Sequence, residues 1–351
     1  MIECTIKNRV GLITLNRPEK LNALNASMIK AIQEALDAWK TDPLIQCVVI
    51  RSAVEHAFSA GGDLKEVYTL HNSLPVSEAH HQLDSFFEME YKLNEAIYRY
   101  PKPYVALLHG IGMGGGLGIS LHGRYRIVSE KVSLAMPEGA IGFFPDVVSA
   151  AFLTQCPGFI GTFLAITGYV MNTADALYTG LGTHFVPYGT MEVFLEALIQ
   201  GSSEGSMDEI LHGLLDYFAG GEIPVASEIA HYRALIDESF SKPSLEEALA
   251  CFSLGRGPWV RKILEDIEAF SPLSLKVTYE LMKRARNASF QEIKKLNEIL
   301  AFHFLRQKDV LEGIRAKMID KDHQPRWQYR DVEDISEDIV QSFFESLPKK
   351  P

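Results

Sequence analysis

The 351 residues of this chain suffice for a large hydrophobic core, organised as one large domain with a smaller one or as two similar ones. Apolar residues make up 47% and charged residues 23%, the proportions of an ordinary soluble globular protein, and a net charge of −11 excludes general nucleic-acid binding, which wants a basic face. Cys4, Cys47, Cys156 and Cys251 have neither zinc spacing nor a disulfide framework and read as reduced thiols. Residues 1–16, MIECTIKNRVGLITLN, lack a basic segment followed by an apolar run, so a cytoplasmic location is expected. The most apolar window holds a histidine and six glycines, which makes a poor membrane span.

In chain order, residues 2–6 and 10–16 alternate around Lys7-Asn8-Arg9 and predict a hairpin. Asn25 is a plausible N-cap for a helix over 26–40, and the β-branched run 47–51 predicts a buried strand. The loop AFSAGGDLKEV, residues 57–67, then brings small residues and two glycines up to Asp63, itself a candidate helix cap. Apolar residues at helical spacing from Val76 to Tyr100 include Leu83, Phe86, Phe87, Tyr91, Leu93 and Ile97, and Pro101 and Pro103 end that helix.

The densest signal is YVALLHGIGMGGGLGISLH, residues 104–122: a buried strand, then Gly110, Gly112, Gly114, Gly115, Gly116 and Gly118, then a helix. Such a turn aims backbone N–H groups at one point, suiting a phosphate or the oxyanion of a reacting carbonyl, though close helix packing also explains glycines. No Gly-Lys-Ser/Thr follows, and no ribose-binding acid lies about 20 residues on, so neither standard nucleotide loop fits. With the loop at 57–67 it forms a pair able to supply one N–H each to a shared oxyanion.

Short strands are expected over 125–128 and 133–136, followed by MPEGAIGFFPDVV, residues 136–148, where Glu138 and Asp146 sit among apolar neighbours. A carboxylate so placed resists ionising and can act as acid, base or nucleophile; the plainer alternative makes Glu138 a helix start and Asp146 a cap. After a short strand over 183–186, helical periodicity runs to about residue 320, with 289–306 the clearest amphipathic helix. His109 and His122 read as packing residues, and no residue set suggests a metal.

The segments LNRPEKLNAL, AFSAGGDLKEV, PKPYVALLHGIGMGGGLGISLHGRYRIV, MPEGAIGFFPDV, ADALYTGLGTHFV, SPLSLKVT and EGIRAKMIDKDHQPRW resemble the crotonase (enoyl-CoA hydratase/isomerase) superfamily, the last four leaning to its 3-hydroxyisobutyryl-CoA hydrolase branch. The resemblance implies an α/β fold, a crotonase-like β/α spiral of repeated ββα units over 1–188 with the acyl-CoA site, and a mainly helical C-terminal region over 189–351. It implies an acyl-CoA ligand, with no separate cofactor, no nucleic-acid or membrane partner, and room for a homo-oligomer. The thioester oxygen is expected between the backbone N–H groups of Ala60, or an immediate neighbour, and Gly115. Hydratases carry one catalytic glutamate where this chain has Gly118 and a second at Glu138, and this chain adds Asp146 where they usually have glycine. Glu138 and Asp146 are therefore the expected catalytic pair, and Glu90, Gly115, Glu138 and Asp146 the expected substrate contacts. Arg17, Lys20 and Lys65 are candidates for the CoA phosphates. The branch usually follows its FPDV with glycines, whereas Val148, Ser149, Ala150 and Ala151 stand here, which leaves the acyl group open. Competing expectations are an enoyl-CoA hydratase or isomerase using Glu138 alone, and a non-catalytic acyl-CoA-binding or scaffold protein.

Overall fold

A two-residue turn makes the first hairpin, the largely exposed β1 (Ile2–Lys7) antiparallel to the fully buried β2 (Val10–Leu15), with Asn8 in the left-handed region at φ 53° as such a turn requires. The computed structural model describes residues 1–202, 205–218 and 221–347. Helix α1 (Ala26–Thr41) starts where Asn25 accepts the Met28 N–H, and buries Met28, Ile29, Ile32, Leu36 and Trp39 on one face.

The remaining strands come in pairs. β3 (Cys47–Ser52) is followed by β4 (Ala57–Ser59), β5 (Tyr104–Leu108) by β6 (Ile111–Met113), and β7 (Tyr125–Val128) by β8 (Ser133–Ala135); β9 (His184–Phe185) stands alone. The first of each pair joins a six-stranded sheet of order β1-β2-β3-β5-β7-β9, and the second a three-stranded sheet of order β4-β6-β8. Among these strands every pairing after the first hairpin is parallel, and an isolated antiparallel bridge joins Leu134 of β8 to Met171. Helices follow each pair: α2 (Leu64–Ser73) and α3 (Val76–Tyr98) after the first, the single turn α4 (Gly115–Gly118) inside the second loop. This is the expected spiral of ββα units. β4 and β6 escape sequence reading because each is three residues long and sits in a glycine-rich or small-residue loop with no room for alternation.

Two compact units emerge, each drawing on segments from both sides of residue 188: Met1–Gly62, Lys92–Ala135 and Val170–His231 in the first, Asp63–Tyr91, Met136–Tyr169 and Tyr232–Pro351 in the second. In the first, Val10, Leu12, Cys47, Val49, Val105, Leu107 and Ile127 of the large sheet pack on Met191, Phe194, Leu195 and Leu198 of the helix Tyr188–Gly201 and on Leu211 and Leu215 of the helix Met207–Phe218. Beyond Phe185 the described residues form helices and loops only, as expected. The second unit has its own aromatic core, in which Phe163 meets Phe240 and Trp259 at 5.5 Å and Phe252 at 5.9 Å between ring centres.

Candidate active site

The second unit buries three carboxyl groups and a phenol together. Glu90 and Tyr91 come from α3, which presents them on its apolar side; Glu138 opens a 3-10 turn (Glu138–Ile141) after Pro137; Asp146 follows Pro145. All are buried, with Glu138 7% and Asp146 5% exposed, figures at which an ionised carboxylate has lost nearly all its water. Tyr91 donates its hydroxyl to Asp146 Oδ2 at 3.4 Å. Around them Phe87 meets Phe143 at 5.4 Å, Phe143 meets Phe144 at 4.7 Å, and Phe144 stacks on Phe304.

This shell dictates the protonation states. Burial pushes Asp146 up to about 7, against the pull of hydrogen bonds from Tyr91 and from the N–H groups of Asp146 and Val147. Burial first, and then the negative charge of Asp146, raise Glu138 well above the ordinary carboxylate range; the same two causes in the same order raise Glu90. Tyr91 is raised well above an ordinary phenol, by burial and then by Asp146. The groups therefore share charge as a coupled set, in which the donors at Asp146 favour its charged form. Among the described residues Glu90 Oε1 and Glu138 Oε2 have no hydrogen-bond partner, although buried polar atoms normally find one. An acid held neutral or part-ionised beside an unpartnered second acid is equipped for proton transfer or for attack on a carbonyl.

Backbone anchors fix the loop. Ser271 donates its N–H to the Gly139 carbonyl at 3.1 Å and its hydroxyl to Asp309 Oδ2 at 2.7 Å, while the Ser274 hydroxyl donates to the Phe143 carbonyl. Gly142 sits at φ 70°, and a Cβ there would lie 2.7 Å from the backbone of Asp309, so both conformation and space demand glycine. Val147 and Val148 then adopt φ 49° and 56°, a region that costs a non-glycine residue about 1–2 kcal/mol. The Glu138 expectation as a helix start also holds, since the 3-10 turn begins there; the Asp146 side chain faces Tyr91 rather than capping a helix.

In the first unit the glycine cluster divides into two jobs. Gly110 and Gly116 are packing devices: a Cβ would lie 2.3 Å from the His56 carbonyl oxygen at the former and 2.7 Å from that of Ser59 at the latter. Gly115 opens α4, and its N–H has no acceptor among the described residues. Ala60 does not fit its expected role, because its N–H already donates to the Leu21 carbonyl at 2.9 Å. The Gly61 N–H lies 3.3 Å from Ser59 Oγ, and the N–H without an acceptor among the described residues is that of Gly62, where a Cβ would meet nothing within 4 Å. Of the N–H groups at residues 60–62, that of Gly62 is thus the one left open among the described residues.

Arg17 bonds within its own loop, to the Ala23 carbonyl at 2.8 Å and to Glu19. Lys65 lies exposed on α2 and Lys20 is half-buried. His109 bonds the Val54 carbonyl and packs on Tyr188, and His122 packs edge-on against Tyr98, as expected. Sequence reasoning missed the polar role of Tyr91, which its helical spacing marked as core. It also missed Asn297, whose side-chain oxygen accepts the Val148 N–H at 2.8 Å; an asparagine on the buried stripe with Ile293, Leu300 and Phe304 was the available signal.

Comparison with known proteins agrees with this architecture. The enoyl-CoA hydratase/isomerase family profile matches residues 10–344, so the chain belongs to that family. Among individual relatives, the mitochondrial 3-hydroxyisobutyryl-CoA hydrolase of Xenopus laevis is 37% identical over 340 residues, 96% of this chain and 86% of the relative. That of Homo sapiens is 36% identical over 347 residues, 97% of this chain and 87% of the relative. Among solved structures, a carnitinyl-CoA dehydratase from Mycobacterium thermoresistibile superposes with a TM-score of 0.89 at 32% identity, covering 99% of this chain and 97% of the other. An enoyl-CoA hydratase from Rhodobacter sphaeroides 2.4.1 gives 0.88 at 34% identity with the same coverage. Both hydrolases are named as mitochondrial, which differs from the cytoplasmic location expected from the sequence. Among the described residues no helix is long and apolar enough to cross a membrane.

Proposed function

We propose that this protein hydrolyses the thioester of a short, branched 3-hydroxyacyl-CoA, with 3-hydroxyisobutyryl-CoA of valine breakdown as first choice, giving the free acid and CoA. The observation that carries the reading is the buried pair Glu138 and Asp146, held on one anchored loop in an aromatic shell with Glu90 and Tyr91. The hydrolases named above are among its relatives. The solved structures at similar identity carry hydratase and dehydratase titles, so the fold does not choose the reaction, and the reading is drawn from the residue set. With Gly118 in place of a glutamate, the chain lacks the second hydratase acid that the resemblance leads one to expect, and it has Asp146 instead.

In this reading an acyl oxyanion is met by backbone N–H donors, for which Gly62 and Gly115 are the first unit's candidates, each such donor being worth roughly 3–4 kcal/mol to a tetrahedral intermediate. Glu138 as carboxylate attacks the carbonyl carbon, expelling CoA and leaving an anhydride that one water opens, or it takes a proton from that water as it attacks. Either route consumes one water and releases one thiol and one acid. Asp146 accepts the 3-hydroxyl of the acyl group, and Glu90 lines the same acyl end. Incubation with 3-hydroxyisobutyryl-CoA and, separately, crotonyl-CoA tests the assignment: thiol release from the first without loss of the enoyl chromophore of the second is expected, and the reverse pattern overturns it.

A further inference from the structure

We infer that Asn297 is a positioning residue for Asp146, acting through the left-handed pair Val147–Val148. The inference rests on the hydrolase reading above, in which Asp146 takes part in turnover.

Two consecutive β-branched residues at φ 49° and 56° are unexpected, because Val147 and Val148 have neither the missing Cβ of glycine nor the short polar side chain of asparagine that eases this conformation. Contacts from elsewhere must hold the turn. One is local: Ser149 donates its N–H to the Asp146 carbonyl and its hydroxyl to the Pro145 carbonyl, each at 2.8 Å. The other comes from 149 residues away, where Asn297 Oδ1 accepts the Val148 N–H at 2.8 Å. The amide nitrogen of Asn297 donates to the Ile293 carbonyl at 3.2 Å, which fixes the side chain with its oxygen toward the turn. Asn297 is fully buried on the apolar stripe of the helix Phe290–Phe304, where packing alone would favour leucine. Its polar character has one evident use, since an apolar replacement leaves the Val148 N–H buried without an acceptor. The turn in its own right reaches the site, because Val147 directly follows Asp146 and its N–H favours the charged form of that carboxylate. Asn297 thus sets the orientation of that carboxylate without touching substrate.

The test compares the parent, Asn297→Ala, and Asn297→Ala combined with Val148→Gly, since glycine adopts the left-handed conformation without help. The readouts are kcat and KM for 3-hydroxyisobutyryl-CoA, the pH profile of kcat, and amide exchange at residues 146–149. Asn297→Ala is expected to lower kcat by on the order of tenfold with KM within about twofold, the pattern of a misplaced group rather than lost binding. Its acid limb moves to higher pH as Asp146 loses the Val147 donor, with Glu90, Tyr91 and Glu138 still facing it. The double variant recovers kcat and the limb. An Asn297→Ala protein that melts earlier but keeps the parental kcat and pH profile overturns the inference. Should Asn297→Ala fail to fold, the double variant carries the test, and a folded double variant still tenfold slow refutes it. A parent that releases no thiol refutes the hydrolase reading instead; exchange then judges the contact alone, and unchanged rates at 146–149 in Asn297→Ala overturn it.

Discussion

The Tyr91 hydroxyl donates to Asp146 Oδ2 across 3.4 Å inside a shell where both residues are buried, and this bond helps decide which acid of the cluster ionises first. Tyr91→Phe removes a donor to the charged form at almost constant volume, so Asp146 shifts further up and the cluster takes its first charge at higher pH. In the proposed reading Asp146 must be charged to accept the 3-hydroxyl, and the acid limb of kcat/KM is therefore expected to move to higher pH, with a several-fold loss below pH 7 and a smaller loss at pH 9. A pH–rate profile of parent and variant checks this; superimposable profiles would remove Tyr91 from the site.

Stability should carry the same signature. Groups raised in the folded state, as Asp146, Glu138 and Glu90 are, stabilise the fold fully below the ordinary carboxylate range, and the contribution fades as pH climbs through about 7 for Asp146. Asp146→Asn cannot ionise and escapes that loss. Its Tm is expected to equal that of the parent near pH 3.5, below the ordinary Asp range, and to exceed it at pH 8 by at least about 2 °C. A variant less stable than the parent at both pH values would contradict the account of a strained, charge-sharing cluster.

Asp146→Asn also separates two uses of this residue. If it accepts the 3-hydroxyl, kcat/KM for 3-hydroxyisobutyryl-CoA should fall at least about tenfold more than that for isobutyryl-CoA, which has no hydroxyl to lose. An equal fall for both esters would assign Asp146 to the water.

Among the glycines, Gly110→Ala should behave as a folding defect. Its φ of 62° and the His56 carbonyl oxygen 2.3 Å from the added Cβ leave no relaxed position, and a loss of about 3 kcal/mol is expected in denaturant unfolding. A fully stable Gly110→Ala would mean that the β4 and β6 loops yield more easily than their geometry implies.

Much of this was legible from residue order. The strand over 104–108, the helix from Val76, and the Asn25 cap followed from periodicity and capping chemistry, and the resemblance supplied the spiral that periodicity lacks. Glu138 and Asp146 stood out as acids among apolar neighbours. What stayed hidden depends on distant backbone. Whether Ala60 or Gly62 keeps a free N–H is decided by the Leu21 carbonyl, and the Val147–Val148 turn by Asn297; neither relationship leaves a local pattern.

The central claim is that the buried carboxylate Glu138 performs thioester cleavage, and Glu138→Gln addresses it most directly because the amide keeps shape while removing nucleophile and base. The measurement is thiol release from 3-hydroxyisobutyryl-CoA under single-turnover conditions, with ester binding followed in parallel. Binding close to that of the parent and a rate lower by at least about a hundredfold are expected. A variant that binds the ester and releases thiol at more than half the parental rate would contradict the account.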